Sequence, residues 1–268
     1  MQLSKSISRS LSRSIAMGIS GGVSLYRAFL TAQGDGTGIA TLRLESSEDT
    51  VIMIEGSGRF YTDAAGTLNE STEWNLTAGA LRTIYIRQPS DSSNLVFVRP
   101  DLIIGIGAIG VYGWESYATA PLFSINISKL LFLQILRIND YTTITGALPV
   151  NLTYLHLRGD NINWTYTGAL PVNLTTLYLY GDNINWTYTT IEGTATINIF
   201  DLIKFRTEKL TSAEMVTLLT SMTNKVGGFP STVTINDYAD YTNPPQSVID
   251  AVALLRSTKS ITTVNLGA

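Results

Sequence analysis

Two stretches of the chain repeat each other almost residue for residue. Residues 146–167 read GALPVNLTYLHLRGDNINWTYT, and residues 168–189 read GALPVNLTTLYLYGDNINWTYT. The second copy begins 22 positions after the first, and a fixed period of this length indicates a solenoid of stacked coils. One coil cannot bury its own apolar side, so it must share a core with its neighbours. The repeat therefore predicts a solenoid in this part of the chain.

The leucines of each copy follow the spacing L-x-x-L-x-L. Side chains of a strand alternate between its two faces, so this spacing predicts a short strand with its leucines on one side. The positions are Leu152, Leu155 and Leu157 in the first copy and Leu174, Leu177 and Leu179 in the second. One period earlier, Leu130, Leu133 and Ile135 have the same spacing. We therefore expect at least three coils.

A longer pattern, L-P-x-x-L-x-x-L-x-L, spans residues 148–157 and recurs at residues 170–179. This pattern resembles the bacterial type of leucine-rich repeat, and the resemblance extends over residues 127–268. The chain departs from that family at Asp160 and Asp182, where the repeat usually carries asparagine. The resemblance implies a leucine-rich-repeat solenoid, with an altered turn at the edge where the two aspartates lie.

After Thr189 we expect longer repeats in which helices join the strands. Three further strands are predicted at residues 197–199, 233–235 and 264–266. Thr211 and Glu214 have the spacing of a capping box and predict the start of one helix. Asn243 as the N-cap and Pro244 at the first helical position predict the start of a second. These helices would close the open end of the repeat core.

The middle of the chain predicts a separate β domain. Residues 35–100 contain short alternating runs between turn residues, which is typical of a small antiparallel β-sandwich. The runs are residues 39–44, 51–54, 74–76, 82–87 and 95–98. Residues 101–125 are interpreted as a linker, and residues 126–268 as the repeat domain. The predicted fold is thus mixed β and α/β: a small antiparallel β-sandwich, then a leucine-rich-repeat solenoid with a helical C-terminal cap.

Residues 1–34 have an unusual charge and serine pattern. They contain four basic residues and no acidic ones, and serine occupies every even position from Ser4 to Ser14. The odd positions alternate apolar and basic, which is compatible with a strand or a helix. We predict a retained anchoring arm that orders against a partner; a solvated tail and a cleaved transit peptide are the alternatives. The contacting residues would be Lys5, Ile7, Arg9, Leu11, Arg13 and Ile15.

The composition restricts the classes of function. The formal net charge is -3 and charged residues make up 15% of the chain, which gives no electrostatic case for binding nucleic acid. The absence of cysteine excludes disulfides, cysteine nucleophiles and cysteine metal sites. The longest apolar runs are far shorter than the roughly 20 residues of a bilayer span, so we expect no membrane insertion.

Two features could be mistaken for cofactor or catalytic sites. Gly105, Gly107 and Gly110 match G-x-G-x-x-G, but Pro121 follows where a helix should open, so we interpret them as linker glycines. His156 is the only histidine, and its place between two core leucines predicts a surface position. We therefore expect no enzyme activity, no cofactor and no metal site.

The residues that alternate with the core leucines are predicted to form a binding face. They should project outward and align from coil to coil. The expected columns are Phe132, Tyr154 and Thr176; Gln134, His156 and Tyr178; and Leu136, Arg158 and Tyr180. Aromatic and arginine side chains are typical of recognition surfaces, although tyrosine and threonine also simply favour strands. The residues we expect to contact a partner are Phe132, Gln134, Tyr154, His156, Arg158, Tyr178 and Tyr180.

The combination of a basic serine-rich arm, a small β domain and a repeat module resembles accessory virion proteins of tailed bacteriophages, such as head fibres, decoration proteins and tail adhesins. The resemblance implies an extracellular, non-enzymatic virion component. Its arm would dock on capsid or tail proteins, its repeat face would meet a host-surface protein or glycan, and several copies would assemble. The alternative is a secreted or surface-bound bacterial leucine-rich-repeat adhesin or effector, without cysteine-dependent ligase activity.

Overall fold

The computed structural model describes residues 28–33, 39–55, 59–62, 71–80, 82–87, 93–97, 99–106, 122–139, 142–187 and 190–267. In this part the regular secondary structure is mostly β-strand, with two α-helices and a β-solenoid of about three turns. The strands are β1 (Ala28–Gln33), β2 (Ile39–Ser46), β3 (Thr50–Glu55), β4 (Arg59–Tyr61), β5 (Glu73–Leu76), β6 (Arg82–Arg87), β7 (Ser93–Phe97), β8 (Ile103–Ile106), β9 (Leu122–Asn126), β10 (Ile135–Asn139), β11 (Thr142–Thr145), β12 (Tyr154–Arg158), β13 (Asn163–Tyr166), β14 (Thr176–Tyr180), β15 (Ile184–Trp186), β16 (Ile199–Ile203), β17 (Thr232–Ile235) and β18 (Thr263–Leu266). The helices are α1 (Ser212–Asn224) and α2 (Gln246–Lys259).

The described strands form two sheets. One has eight strands in the order β15-β13-β11-β9-β1-β7-β3-β5, and the other has ten in the order β18-β17-β16-β14-β12-β10-β8-β2-β6-β4. Each sheet changes from antiparallel to parallel pairing at one strand. In the first sheet β9 is antiparallel to β1 and parallel to β11; in the second β8 is antiparallel to β2 and parallel to β10. Both sheets therefore run through the N-terminal strands and the solenoid without a break.

The solenoid coils stack with their leucines in register. Leu155 pairs with Leu177, and Leu157 pairs with Leu179. All four side chains are fully buried, and each contributes roughly 1.5 to 3 kcal/mol by burial. The shared leucine core predicted from the repeat is thus confirmed. The second strand of each coil supplies the opposite wall through Trp164 and Trp186, which belong to the same apolar cluster.

The first coil differs from the sequence prediction in register. Leu136 pairs with Leu155, so the two strands are 19 positions apart and not 22. Leu136, predicted to point outward, is fully buried. The reason is that the L-x-x-L-x-L spacing fits twice. Leu133, Leu136 and Ile138 match it as well as the predicted set of Leu130, Leu133 and Ile135. In the other frame the charged Arg137 would face the leucine core, at a high desolvation cost. In the observed frame it is buried on the opposite side of β10, beside His156.

This shift also removes two residues from the predicted columns. Phe132 lies in the turn before β10, and Gln134 directly precedes the strand. The prediction that they align with Tyr154 and His156 is therefore wrong. Both side chains are exposed, but neither is part of the ladder of strand residues.

Two segments that were predicted to lack regular structure, the arm and the linker, contain strands. Residues 28–33 fall within the predicted arm, yet they form β1 between β7 and β9. The predicted linker contains β8 and most of β9, the two strands at which the sheets change direction. Gly105 of the glycine motif lies in β8, where a Cβ would stand 3.3 Å from that of Glu45. The five runs predicted between residues 39 and 98 fall on strands β2, β3, β5, β6 and β7.

The two C-terminal helices begin at or near the predicted capping residues. Helix α1 has the predicted capping box of Thr211 and Glu214. Helix α2 begins later than predicted, at Gln246, with Pro245 and not Asn243 as its N-cap, because a residue that precedes proline, here Pro244, avoids the helical conformation. Neither helix is long and apolar enough to cross a membrane.

The strand predicted at residues 197–199 is displaced toward the C-terminus. Strand β16 begins at Ile199 and pairs with β14. Ile197, Phe200 and Leu202 are all buried, and their spacing is again that of L-x-x-L-x-L. The other two predicted strands coincide with β17 and β18.

Candidate functional site

The outward side chains of β10, β12, β14 and β16 form one continuous surface, which we call the ladder face. Parallel pairing in a fixed register places equivalent residues side by side. The central column is Arg137, His156, Tyr178 and Asp201; the flanking columns are Ile135, Tyr154, Thr176 and Ile199 on one side and Arg158, Tyr180 and Ile203 on the other. The core residues between them face the opposite way, so the ladder face is held by the packed leucines behind it.

His156 is at the centre of an aromatic group. Its ring centroid lies 4.4 Å from that of Tyr178, with the planes inclined by 49°. The Tyr154 hydroxyl is 3.4 Å from Nδ1 of His156. The Nε2 atom of His156 is buried and has no hydrogen-bond partner among the described residues. Three rings from two neighbouring coils thus meet at one point of the surface.

The electrostatic surroundings keep His156 uncharged at neutral pH. Burial, the largest cause, and the positive charges of Arg137 and Arg158 together lower the pKa of His156 to about 4. Burial also raises the pKa of Tyr178, against the opposing effect of Arg158. The central rings are therefore neutral hydrogen-bonding groups next to two permanent cations.

The basic residues on and beside the ladder face differ in their partners. Lys204, which directly follows β16, forms an ion pair with Asp182 at 3.0 Å and lies 5.6 Å from the centroid of the Tyr180 ring. Arg137 is buried, with 7% of its surface exposed. Arg158 is exposed and has no carboxylate within ion-pair distance in the described part of the chain. Its guanidinium is therefore available to a ligand.

No protein-family model, curated protein or solved structure matches this chain. Any functional interpretation therefore depends on the geometry and chemistry of the chain itself. The ladder face is the surface where aromatic, charged and unsatisfied polar groups come together.

The structure brings together five of the seven residues predicted to bind a partner. Tyr154, His156 and Arg158 lie on β12, and Tyr178 and Tyr180 lie on β14. Phe132 and Gln134 lie outside the columns, as described above. The predicted arm residues Lys5, Ile7, Arg9, Leu11, Arg13 and Ile15 lie outside the described residues.

Two charged residues of the ladder face do not appear in the sequence prediction. Arg137 takes the position that Gln134 was expected to hold, and Asp201 extends the same column by one coil. Both could be found from the sequence by applying the L-x-x-L-x-L spacing in its other frame. That frame starts at Leu133 in the first case and at Ile197 in the second.

Proposed function

We propose that the chain is a non-enzymatic binding protein that presents the ladder face to a protein or glycan. The observation that carries this proposal is the group formed by Tyr154, His156 and Tyr178 beside the exposed Arg158, which forms no ion pair with a described residue. Tyrosine and arginine are enriched among the residues that dominate binding energy at interfaces. Tyrosine also offers a large contact area at a low cost in conformational entropy.

A rigid support favours recognition because little order has to be gained on binding. The ladder face is on a parallel sheet whose other side is the buried leucine core. Each outward side chain is spaced from the next by the separation of neighbouring strands, about 4.8 Å. A ligand therefore meets a preformed row of groups.

We further propose that the solenoid is a leucine-rich repeat and that the N-terminal strands form a β-sandwich. The L-x-x-L-x-L spacing on one strand of each coil supports the first assignment. The second is supported by the antiparallel strands β1, β7, β3 and β5 in one sheet and β2, β6 and β4 in the other. Their buried side chains, among them Ile52 and Ile84, belong to one cluster.

We propose that the protein works as an accessory component of a phage particle, attached through its basic N-terminal arm in several copies. The support is the segregation of four basic residues and no acidic ones in residues 1–34. We expect the native protein to co-sediment with assembled particles in a density gradient. Deleting residues 1–25 should leave the fold intact and abolish attachment. A free pool in the gradient would favour the alternative, a secreted bacterial adhesin or effector.

Recognition by the ladder face is tested by one matched pair of tyrosine variants. Tyr178→Ala removes the ring that contacts His156, whereas Tyr241→Ala removes a tyrosine that is 42% exposed outside the ladder face. We expect Tyr178→Ala to weaken binding of the labelled chain to intact host cells by about tenfold or more, as loss of a central interface residue does. Tyr241→Ala should bind like the wild type. Equal binding by all three proteins would contradict the proposal.

A further inference from the structure

The charges of the ladder face are unevenly distributed. Arg137 and Arg158 lie on the adjacent strands β10 and β12, and both act on His156. Asp201 lies two strands farther along, beyond Tyr178. Lys204 is already paired with Asp182. We call the part of the face near β12, which carries the exposed Arg158, the positive end; Asp201 lies at the end near β16.

Arg158 is the accessible cation of the positive end. It is exposed, whereas Arg137 is buried and acts there mainly through its charge. A guanidinium presents a planar fork of donors that matches a carboxylate in a two-point hydrogen bond. No carboxylate of the described residues occupies this fork, so it is open to the carboxylate of a ligand.

The side chains around Arg158 indicate which other chemical groups the ligand should carry. Tyr154, His156 and Tyr178 provide ring faces together with hydroxyl and imidazole groups. A ligand ring with several hydroxyl groups would cover the aromatic rings and hydrogen-bond to the hydroxyls of the partly exposed Tyr154 and Tyr178.

We propose that the ladder face binds an acidic saccharide, with its carboxylate on Arg158 and its sugar ring against His156 and Tyr178. This inference rests on the recognition function proposed above and names its ligand class. The positive end of the face supplies the charge complementarity, and the aromatic group supplies the stacking surface. An acidic peptide could also satisfy the charge of Arg158, so polyglutamate is the competing ligand in the test.

The test uses two polymers with the same sugar backbone, one with free carboxylates and one with methyl esters. Polygalacturonate carries free carboxylates, and its fully methyl-esterified form carries none. We expect the full-length wild-type chain to bind polygalacturonate at least tenfold more tightly than the esterified polymer, with an affinity that falls as salt is added. Equal affinity for the two polymers would overturn the inference.

Charge variants locate the binding site. Arg158→Gln should lose most of the preference for polygalacturonate, because the carboxylate partner is removed. Asp201→Asn should strengthen binding, since it removes the negative charge of the same column. Arg256→Gln, a loss of the same charge from the exposed surface of α2, should have no effect. If Arg158→Gln and Arg256→Gln weaken binding equally, binding depends on the net charge of the protein, and the assignment of the site to the ladder face is wrong.

Two further arms separate this inference from the proposed function. If polyglutamate binds as tightly as polygalacturonate, the ladder face recognises the carboxylate and not the sugar. That result would overturn the saccharide assignment. If wild type ignores all three polymers while Tyr178→Ala still abolishes binding to host cells, the ligand class is wrong and the recognition function survives. If Tyr178→Ala also leaves cell binding unchanged, both proposals fail.

Discussion

His156 shows how the ladder face couples charge to stability at the scale of one residue. Burial and two neighbouring arginines hold its pKa at about 4 in the folded chain, against about 6.5 for an unperturbed histidine. The unfolded chain therefore takes up the proton first as the pH falls. Folding stability consequently decreases from about pH 6.5 down to about pH 4, and this loss is complete below the folded pKa.

The first prediction concerns this pH dependence. The full pKa shift would correspond to about 3 kcal/mol, and solvent screening of the half-buried imidazole reduces this to about 1 to 2 kcal/mol. We expect the free energy of unfolding in urea to fall by that amount more in the wild type than in His156→Gln between pH 7 and pH 4. The variant serves as the control, because every other titrating group is the same in both proteins. If the free energies of unfolding of the wild type and His156→Gln change with pH in parallel, His156 is not desolvated.

At the scale of the element, the coils of the solenoid approach each other so closely that the turn between strands requires glycine. A Cβ at Gly181 would overlap the carbonyl oxygen of Gly159 in the preceding coil. The same turn is held by a 2.8 Å hydrogen bond from the Gly159 amide to the Tyr180 carbonyl. The position thus has no room for a side chain between stacked turns.

The second prediction compares two glycine substitutions. Gly181→Ala should lower the free energy of unfolding by about 1 to 3 kcal/mol, the usual effect of forced overpacking. At Gly228 the nearest atom to a new Cβ is a methyl group of Thr196 at 3.4 Å, an ordinary contact. Gly228→Ala should therefore change stability by no more than about 0.5 kcal/mol. Urea unfolding of both variants measures the difference, and equal effects would contradict close contact between the coils.

The register of the elements shows where sequence reasoning succeeds and where it fails. Between the two near-identical copies the 22-residue period sets the register without ambiguity, and Leu155 and Leu177 pair as expected. The apolar run around Leu133 satisfies the same spacing in two frames, so the spacing cannot decide between them. Arg137 decides, because one frame buries its charge in the core. The recognition residues of β12 and β14 were therefore predictable, and Arg137 required this additional argument.

At the scale of the whole molecule, the continuity of the sheets could not be read from the sequence. The pairing of β8 with both β2 and β10 joins segments far apart in the chain, and no local pattern encodes such partners. Strand β8 is also short and contains Gly105, which in sequence favours a linker. Only the formation of a shared core makes this glycine-containing segment a central strand.

The third prediction follows from this continuity. Ile84 of β6 is fully buried, and β6 is separated from the ladder strand β12 by β2, β8 and β10 within one sheet. Because the buried residues of both parts form a single cluster, we expect the chain to unfold as one cooperative unit. Ile84→Ala should cost about 2 to 5 kcal/mol and reduce the hydrogen-exchange protection of amides in β12 and β14 by the corresponding factor.

Thr83→Ala, at the neighbouring half-exposed position of the same strand, is the control and should leave protection in β12 and β14 unchanged. The two regions could instead unfold separately, as repeat arrays do when cooperativity breaks down. In that case Ile84→Ala would expose the amides of β2 and β6 and spare those of β12 and β14. Hydrogen exchange measured peptide by peptide distinguishes the two outcomes. Substitution of Ile84 lowers protection in β12 and β14 only if these strands unfold in the same transition as β6.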